Sequence, residues 1–117
     1  MADYRKLRVW QKADDMAEKV YKFSGPIRRA GHSDLADQMK RSGGSIPNNI
    51  AEGSGHKSRK EYARFIVYAI ASACELETQV SFARKISAIA YSEATKTLEE
   101  LVVIRKMLIG LHKKLGD

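Results

Sequence analysis

Apolar and small residues recur along this chain at helical spacing in four separate stretches. Val9, Ala13, Met16, Val20 and Phe23 follow steps of 4, 3, 4 and 3, which draws one stripe on a helix. Trp10, Ala17 and Tyr21 widen that stripe, and Gly25-Pro26 is expected to end it. A second helix is expected after Gly31, with Ser33 as N-cap, Asp34 and Asp37 in the first turn, and a weaker stripe through Leu35, Met39, Ser42, Ile46 and Ile50. The third opens on Ser58-x-x-Glu61, the spacing of a capping box in which each side chain serves the other residue's free backbone N–H. Tyr62, Ile66, Ala69, Ala73, Leu76, Val80 and Ala83 carry it forward. The fourth starts near Ser92 and runs through Leu101, Ile104, Leu108, Leu111 and Leu115, broadened by Leu98, Val102 and Ile109. Short connections between four such segments predict an all-α fold, an antiparallel up-down-up-down four-helix bundle that occupies residues 1–117 as a single domain.

Gly43, Gly44 and Pro47 fall inside the second segment, where a glycine costs about 1 kcal/mol and a proline about 3. A continuous helix kinked near Gly43-Pro47 is the preferred reading over two shorter helices, and the glycines would let a neighbouring helix approach closely. Pro47, Asn48, Asn49, Glu52 and Gly53 then form a polar, glycine-flanked elbow between the second and third helices. Short amide and carboxylate groups there are expected to satisfy backbone groups freed by the proline. Stripes too broad for one core predict burial against another subunit, and Trp10, Tyr21, Val102 and Ile109 are the candidate oligomer interface.

Charge changes the picture next. The chain of 117 residues carries 21 Lys and Arg against 14 acids, a formal net charge of +7. Residues 1–60 hold 13 of the cations and 7 of the acids, so the excess lies in the first half. That excess points to an anionic partner, nucleic acid first, against the alternative that Lys and Arg simply solvate a small bundle, for which +7 is an ordinary charge. Arg28, Arg29, Lys40, Arg41, Lys57, Arg59, Lys60 and Arg64 are the candidate phosphate contacts, those from Lys57 to Arg64 favoured because a helix N-terminus attracts anions. No aromatic-rich stacking surface is evident. A hydrophobic fraction of 44% suits a folded core. No apolar run reaches the ~20 residues of a membrane span, the N-terminal run Met1-Ala2-Asp3-Tyr4-Arg5-Lys6 lacks the apolar core of a leader, and a single cysteine suits a reducing compartment; a cytoplasmic location is expected.

Enzyme chemistry fails on spacing. Gly53-Ser54-Gly55-His56-Lys57-Ser58 places His56 where a phosphate loop requires glycine, and a helix precedes it rather than a strand. His32, His56 and His112 are scattered, with no metal-ligand spacing. Cys74 has no basic partner nearby in sequence and reads as a small half-buried packing residue. Glu75 and Glu77, placed to face Arg41 or Arg64 across the bundle, are expected in a helix-to-helix ion pair or simply solvated, rather than as paired carboxylates for acid catalysis. No enzyme, cofactor or metal is expected.

Val9-Trp10-Gln11-Lys12-Ala13, Lys40-Arg41-Ser42 leading into Ser45-Ile46-Pro47-Asn48-Asn49-Ile50-Ala51-Glu52-Gly53, Ser58-x-x-Glu61-Tyr62-x-x-Phe65 and Glu75-Leu76-Glu77-Thr78-Gln79 resemble the bacterial four-helix-bundle family also called S23 or 23S rRNA intervening-sequence proteins. The resemblance spans nearly the whole chain. It implies an antiparallel four-helix bundle assembled as a homopentamer, and a distant similarity to the accessory proteins of diversity-generating retroelements, basic pentamers that bind nucleic acid and a reverse transcriptase. It supplies no catalytic residues. Gly43-Gly44 departs from the family pattern, in which Ala-Ala or Ala-Val follows the basic pair. The functions to separate are therefore a nucleic-acid-binding oligomer, with RNA favoured, and an oligomeric scaffold for a protein partner.

Overall fold

The computed structural model describes residues 3–116; Met1 and Ala2, part of the N-terminal run read for a leader, and Asp117 lie outside the described residues. A short 3-10 turn, Tyr4–Lys6, precedes four helices: α1 Arg8–Arg29, α2 Ser33–Ser54, α3 Arg59–Lys85 and α4 Tyr91–Gly116. There is no strand among the described residues. Consecutive helices pack side by side along a body of 44 × 20 × 20 Å, and α1 touches α4 far less than it touches α2. The expected stripes supply the core: Ala13, Val20, Met39, Ile46, Ile66, Leu76, Leu101 and Leu108 are all at most 3% exposed.

Two ends differ from expectation. Pro26 does not end α1; the helix continues to Arg29, with the Ala30 N–H bonded to the Pro26 carbonyl. The reason is Ile27, one step further along the stripe and buried. Burying such a side chain contributes about 1.5–3 kcal/mol, enough to offset most of the ~3 kcal/mol cost of a helical proline. Nor is Ser33 the N-cap of α2: His32 holds that position, without a side-chain cap, and Ser33 is the first helical residue. Gly31 provides the turn with a φ of +96°; its N–H reaches the Arg28 carbonyl and that of His32 reaches Ile27, the paired bonds of a Schellman ending. The same pair of bonds closes α3, from Ser87 to Arg84 and from Ala88 to Ala83, but there the left-handed residue is Ser87, with a φ of 60°.

α2 runs unbroken through Gly43, Gly44 and Pro47. Gly43 brings α1 close, since a Cβ there would lie 3.4 Å from Val20 Cβ, whereas one on Gly44 would meet nothing within 4 Å. The tightest approach is at Gly53, where a Cβ would stand 2.8 Å from Phe65 Cβ and 3.0 Å from Tyr62 Cδ1 of α3.

Candidate nucleic-acid interface

The elbow is not a loop. Pro47, Asn48, Asn49, Glu52 and Gly53 all belong to the last two turns of α2, and the chain reverses only at Gly55–Ser58. Pro47 and Gly53 are buried, so these two are packing residues; Asn48 and Glu52 are exposed. Asn49 bridges inward, its Nδ2 donating to the Ser45 carbonyl at 2.8 Å and to Ser45 Oγ at 2.9 Å. Ser45 Oγ in turn meets Ser72 Oγ of α3 at 2.8 Å. The carbonyl that Pro47 leaves without its helical donor is that of Gly43, four residues back, so Asn49 braces Ser45 rather than filling that gap.

Beside these hydroxyls a polar groove of about 440 Å³ opens between α2 and α3, with Arg41 from α2 and Glu75 from α3 among its lining residues. Gln79, which also lines it, has a buried Oε1 with no hydrogen-bond partner among the described residues. The sequence reading missed this groove. Its signal was the run of small polar residues Ser42, Ser45 and Asn49, at helical steps where an interhelical seam would ordinarily be apolar.

The start of α3 gathers the favoured cations. Ser58 caps the helix, its Oγ accepting from the Glu61 N–H at 3.2 Å. Only this half of the expected reciprocal box carries over, because Glu61 Oε2 instead accepts from Arg64 Nη2 at 2.8 Å. That bond holds the Glu61 carboxyl below its ordinary range. Arg64 also donates to Tyr68 Oη at 2.8 Å, and its guanidinium lies over both the Phe65 and Tyr68 rings. Arg59 reaches back to the end of α4, donating to the carbonyls of Lys114 at 2.7 Å and Leu115 at 3.3 Å. Arg59 and Arg64 are therefore held by protein groups, while Lys57 and Lys60 are exposed and enter none of the ion pairs among the described residues.

The remaining cations divide similarly. Arg28 is bonded to Asp37, which lowers the Asp37 carboxyl below its ordinary value. Lys40 sits 5.2 Å over the Tyr21 ring. Arg29 and Arg41 are exposed and outside the ion pairs among the described residues. Glu77 makes a helix-to-helix ion pair, but with Arg105 of α4 at 2.8 Å rather than with Arg41 or Arg64, and Glu75 lines the same groove as Arg41. Cys74 is exposed rather than half-buried, because it sits on the outward side of α3 between the buried Ala73 and Leu76.

Of the four candidate interface residues, Tyr21 and Ile109 are exposed, at 65% and 46%. Val102 is half-buried, and Trp10 packs on the core with its ring edge-on to Tyr4 at 5.1 Å. Val103, 46% exposed, is an apolar residue of α4 that the sequence reading passed over. It lines a groove of about 200 Å³ between α1 and α4, crossed by Lys19 bonded to Glu100 at 2.6 Å.

These features define an all-α, four-helix protein. The model of the 23S rRNA-intervening sequence protein family matches residues 5–110, and the chain belongs to that family. It is similar to a crystallised protein of unknown function from the S23 ribosomal protein family of Bacteroides thetaiotaomicron VPI-5482, at 25% identity over 90% of this chain and 98% of that one, with a TM-score of 0.83. No curated protein matches. No helix among the described residues is long and apolar enough to cross a membrane.

Proposed function

We propose that this protein is a non-enzymatic, self-associating four-helix bundle that binds nucleic acid, RNA above all, through phosphate contacts. The observation that carries the reading is the pair Lys57 and Lys60, exposed at the start of the 27-residue helix α3 and outside the ion pairs among the described residues. Exposed cations beside a helix N-terminus are positioned for phosphate, and the net charge of +7 favours the approach of a polyanion. Self-association multiplies the effect, since weak contacts on several linked subunits add through effective concentration. Exposed Ile109 and Val103 on α4, beside the sparse α1–α4 contact, support an interface along that side. A homopentamer, cytoplasmic location and the absence of any cofactor belong to the same proposal.

The test is a salt-titrated binding assay with structured RNA, single-stranded RNA and duplex DNA, comparing the wild type with Lys57→Ala/Lys60→Ala. Arg59 is left in place because it holds the end of α4. Binding should weaken steeply with salt, and the slope of log K against log salt should flatten by about 0.7 to 0.9 for each phosphate contact removed. Light scattering should give a mass several times the 13.1 kDa subunit. No binding at low salt would leave the protein-partner scaffold as the function.

A further inference from the structure

The aromatic residues at the start of α3 are the feature that phosphate contacts leave unused. His56, in the turn before the helix, stacks on the Phe65 ring at 5.1 Å with an interplanar angle of 19°. Tyr68 stands edge-on to Phe65 at 5.7 Å. The Arg64 guanidinium lies 5.1 Å from the Phe65 centroid and 5.5 Å from that of Tyr68, fixed by its bonds to Tyr68 Oη and Glu61. The sequence reading found no stacking surface here because the three rings are separated along the chain by 9 and 3 residues, with the helix start between them. The structure brings them into one cluster.

Tyr68 nevertheless remains 42% exposed, and its neighbour Val67 is 46% exposed. A ring that is held by a hydrogen bond, a cation and an aromatic edge has little rotamer freedom left to lose on binding. Lys60, Arg64 and Tyr68 follow one another at steps of four, about 6 Å of helix rise each, so the ring shares a strip with an exposed cation. Rigid aromatic surface flanked by Lys and Arg is the arrangement that holds single strands, by stacking bases and tracking the backbone.

We infer that Tyr68, braced by Arg64 and Phe65, is a stacking platform for an unpaired base of single-stranded RNA whose phosphates meet Lys57 and Lys60. The inference rests on the nucleic-acid reading above and adds what the surface selects: strands with accessible bases over duplex, in which the bases are stacked on each other and closed to the ring. The two kinds of contact respond differently to salt. Phosphate contacts set the slope of affinity against salt, whereas a stack shifts affinity at every salt concentration alike.

The experiment measures fluorescence anisotropy of the full chain with three probes of equal length: single-stranded oligouridylate, the same backbone made abasic, and an RNA duplex. Wild type, Tyr68→Ala, Tyr68→Phe and Lys57→Ala/Lys60→Ala are compared, with circular dichroism and melting to show that each is folded. Wild type should prefer the base-bearing strand over the abasic one by about tenfold, the size of one base–aromatic stack. Tyr68→Ala should lose that preference with an unchanged salt slope, and Tyr68→Phe should retain it. Equal affinity of the wild type for base-bearing and abasic strands would overturn the stacking site while leaving phosphate binding intact. Preference that survives in a folded Tyr68→Ala variant would place the stack elsewhere and overturn the assignment to this ring. No binding to any probe at low salt would remove both readings.

Discussion

Replacing Gly53 by alanine tests the tightest of the glycine contacts, where α2 meets α3. The added Cβ would sit 2.8 Å from Phe65 Cβ, 3.0 Å from Tyr62 Cδ1 and 3.2 Å from the Tyr62 carbonyl oxygen. Phe65 Cβ and the carbonyl are fixed to the α3 backbone, so no side-chain rotation relieves the overlap and the helices must part. Overpacking of this kind costs about 1–3 kcal/mol. Alanine's helix preference returns at most about 1 kcal/mol, and less so close to the helix end. The net expectation is a loss of about 1–2 kcal/mol, or a fall of roughly 3–10 °C in melting temperature for a chain of this size. Gly44→Ala has the opposite sign, because its Cβ meets nothing within 4 Å and only the gain of about 0.5–1 kcal/mol remains. Gly43→Ala, at 3.4 Å from Val20, falls between and should be nearly neutral. Thermal and urea denaturation at one protein concentration, with light scattering to check for changes in association, would rank the three. A Gly53→Ala protein as stable as wild type would refute the geometry at the α2–α3 contact.

Ser87→Gly should stabilise by about 0.5–1 kcal/mol, since Ser87 closes α3 with a φ of 60° that costs a side-chain-bearing residue; urea denaturation reads it, and a loss would mean the serine side chain has a role of its own. Arg59→Ala should fray the end of α4 by releasing the carbonyls of Lys114 and Leu115, at a global cost of about 0.5–1 kcal/mol, seen as faster amide exchange in the last turn of α4. Asp37 and Glu61 have carboxyls lowered by Arg28 and Arg64, so folding holds their protons more weakly than the unfolded chain does. The stability they add is complete above their ordinary values of 3.8 and 4.5 and is lost as pH falls through the lowered ones. Asp37→Asn and Glu61→Gln should each flatten the acid limb of a stability–pH curve, an effect kept small by solvent screening.

Periodicity alone determined the number of helices, their core faces and their order, because burying an apolar stripe is a local pattern with a strong energetic reward. Val20, Ile66, Leu76 and Leu101 are buried for that reason. The continuity of α2 through Pro47 was legible too, as was Gly43 admitting a neighbour. Helix ends were less so: Ile27 outweighed Pro26, and Ser87 took a turn conformation that usually falls to glycine. Charge count and the run from Lys57 to Arg64 nominated phosphate contacts, but only the tertiary structure decided which of these cations stay outside the ion pairs among the described residues. Arg59 is used on α4 and Arg64 on Glu61 and two rings, partners that sequence spacing does not reveal in the first case and leaves ambiguous in the second. The polar seam of Ser45, Asn49 and Ser72 and the stack of His56 on Phe65 likewise arise from how α2, α3 and the turn between them pack. Side-chain pairing between helices depends on their register and separation, which only the packed bundle fixes.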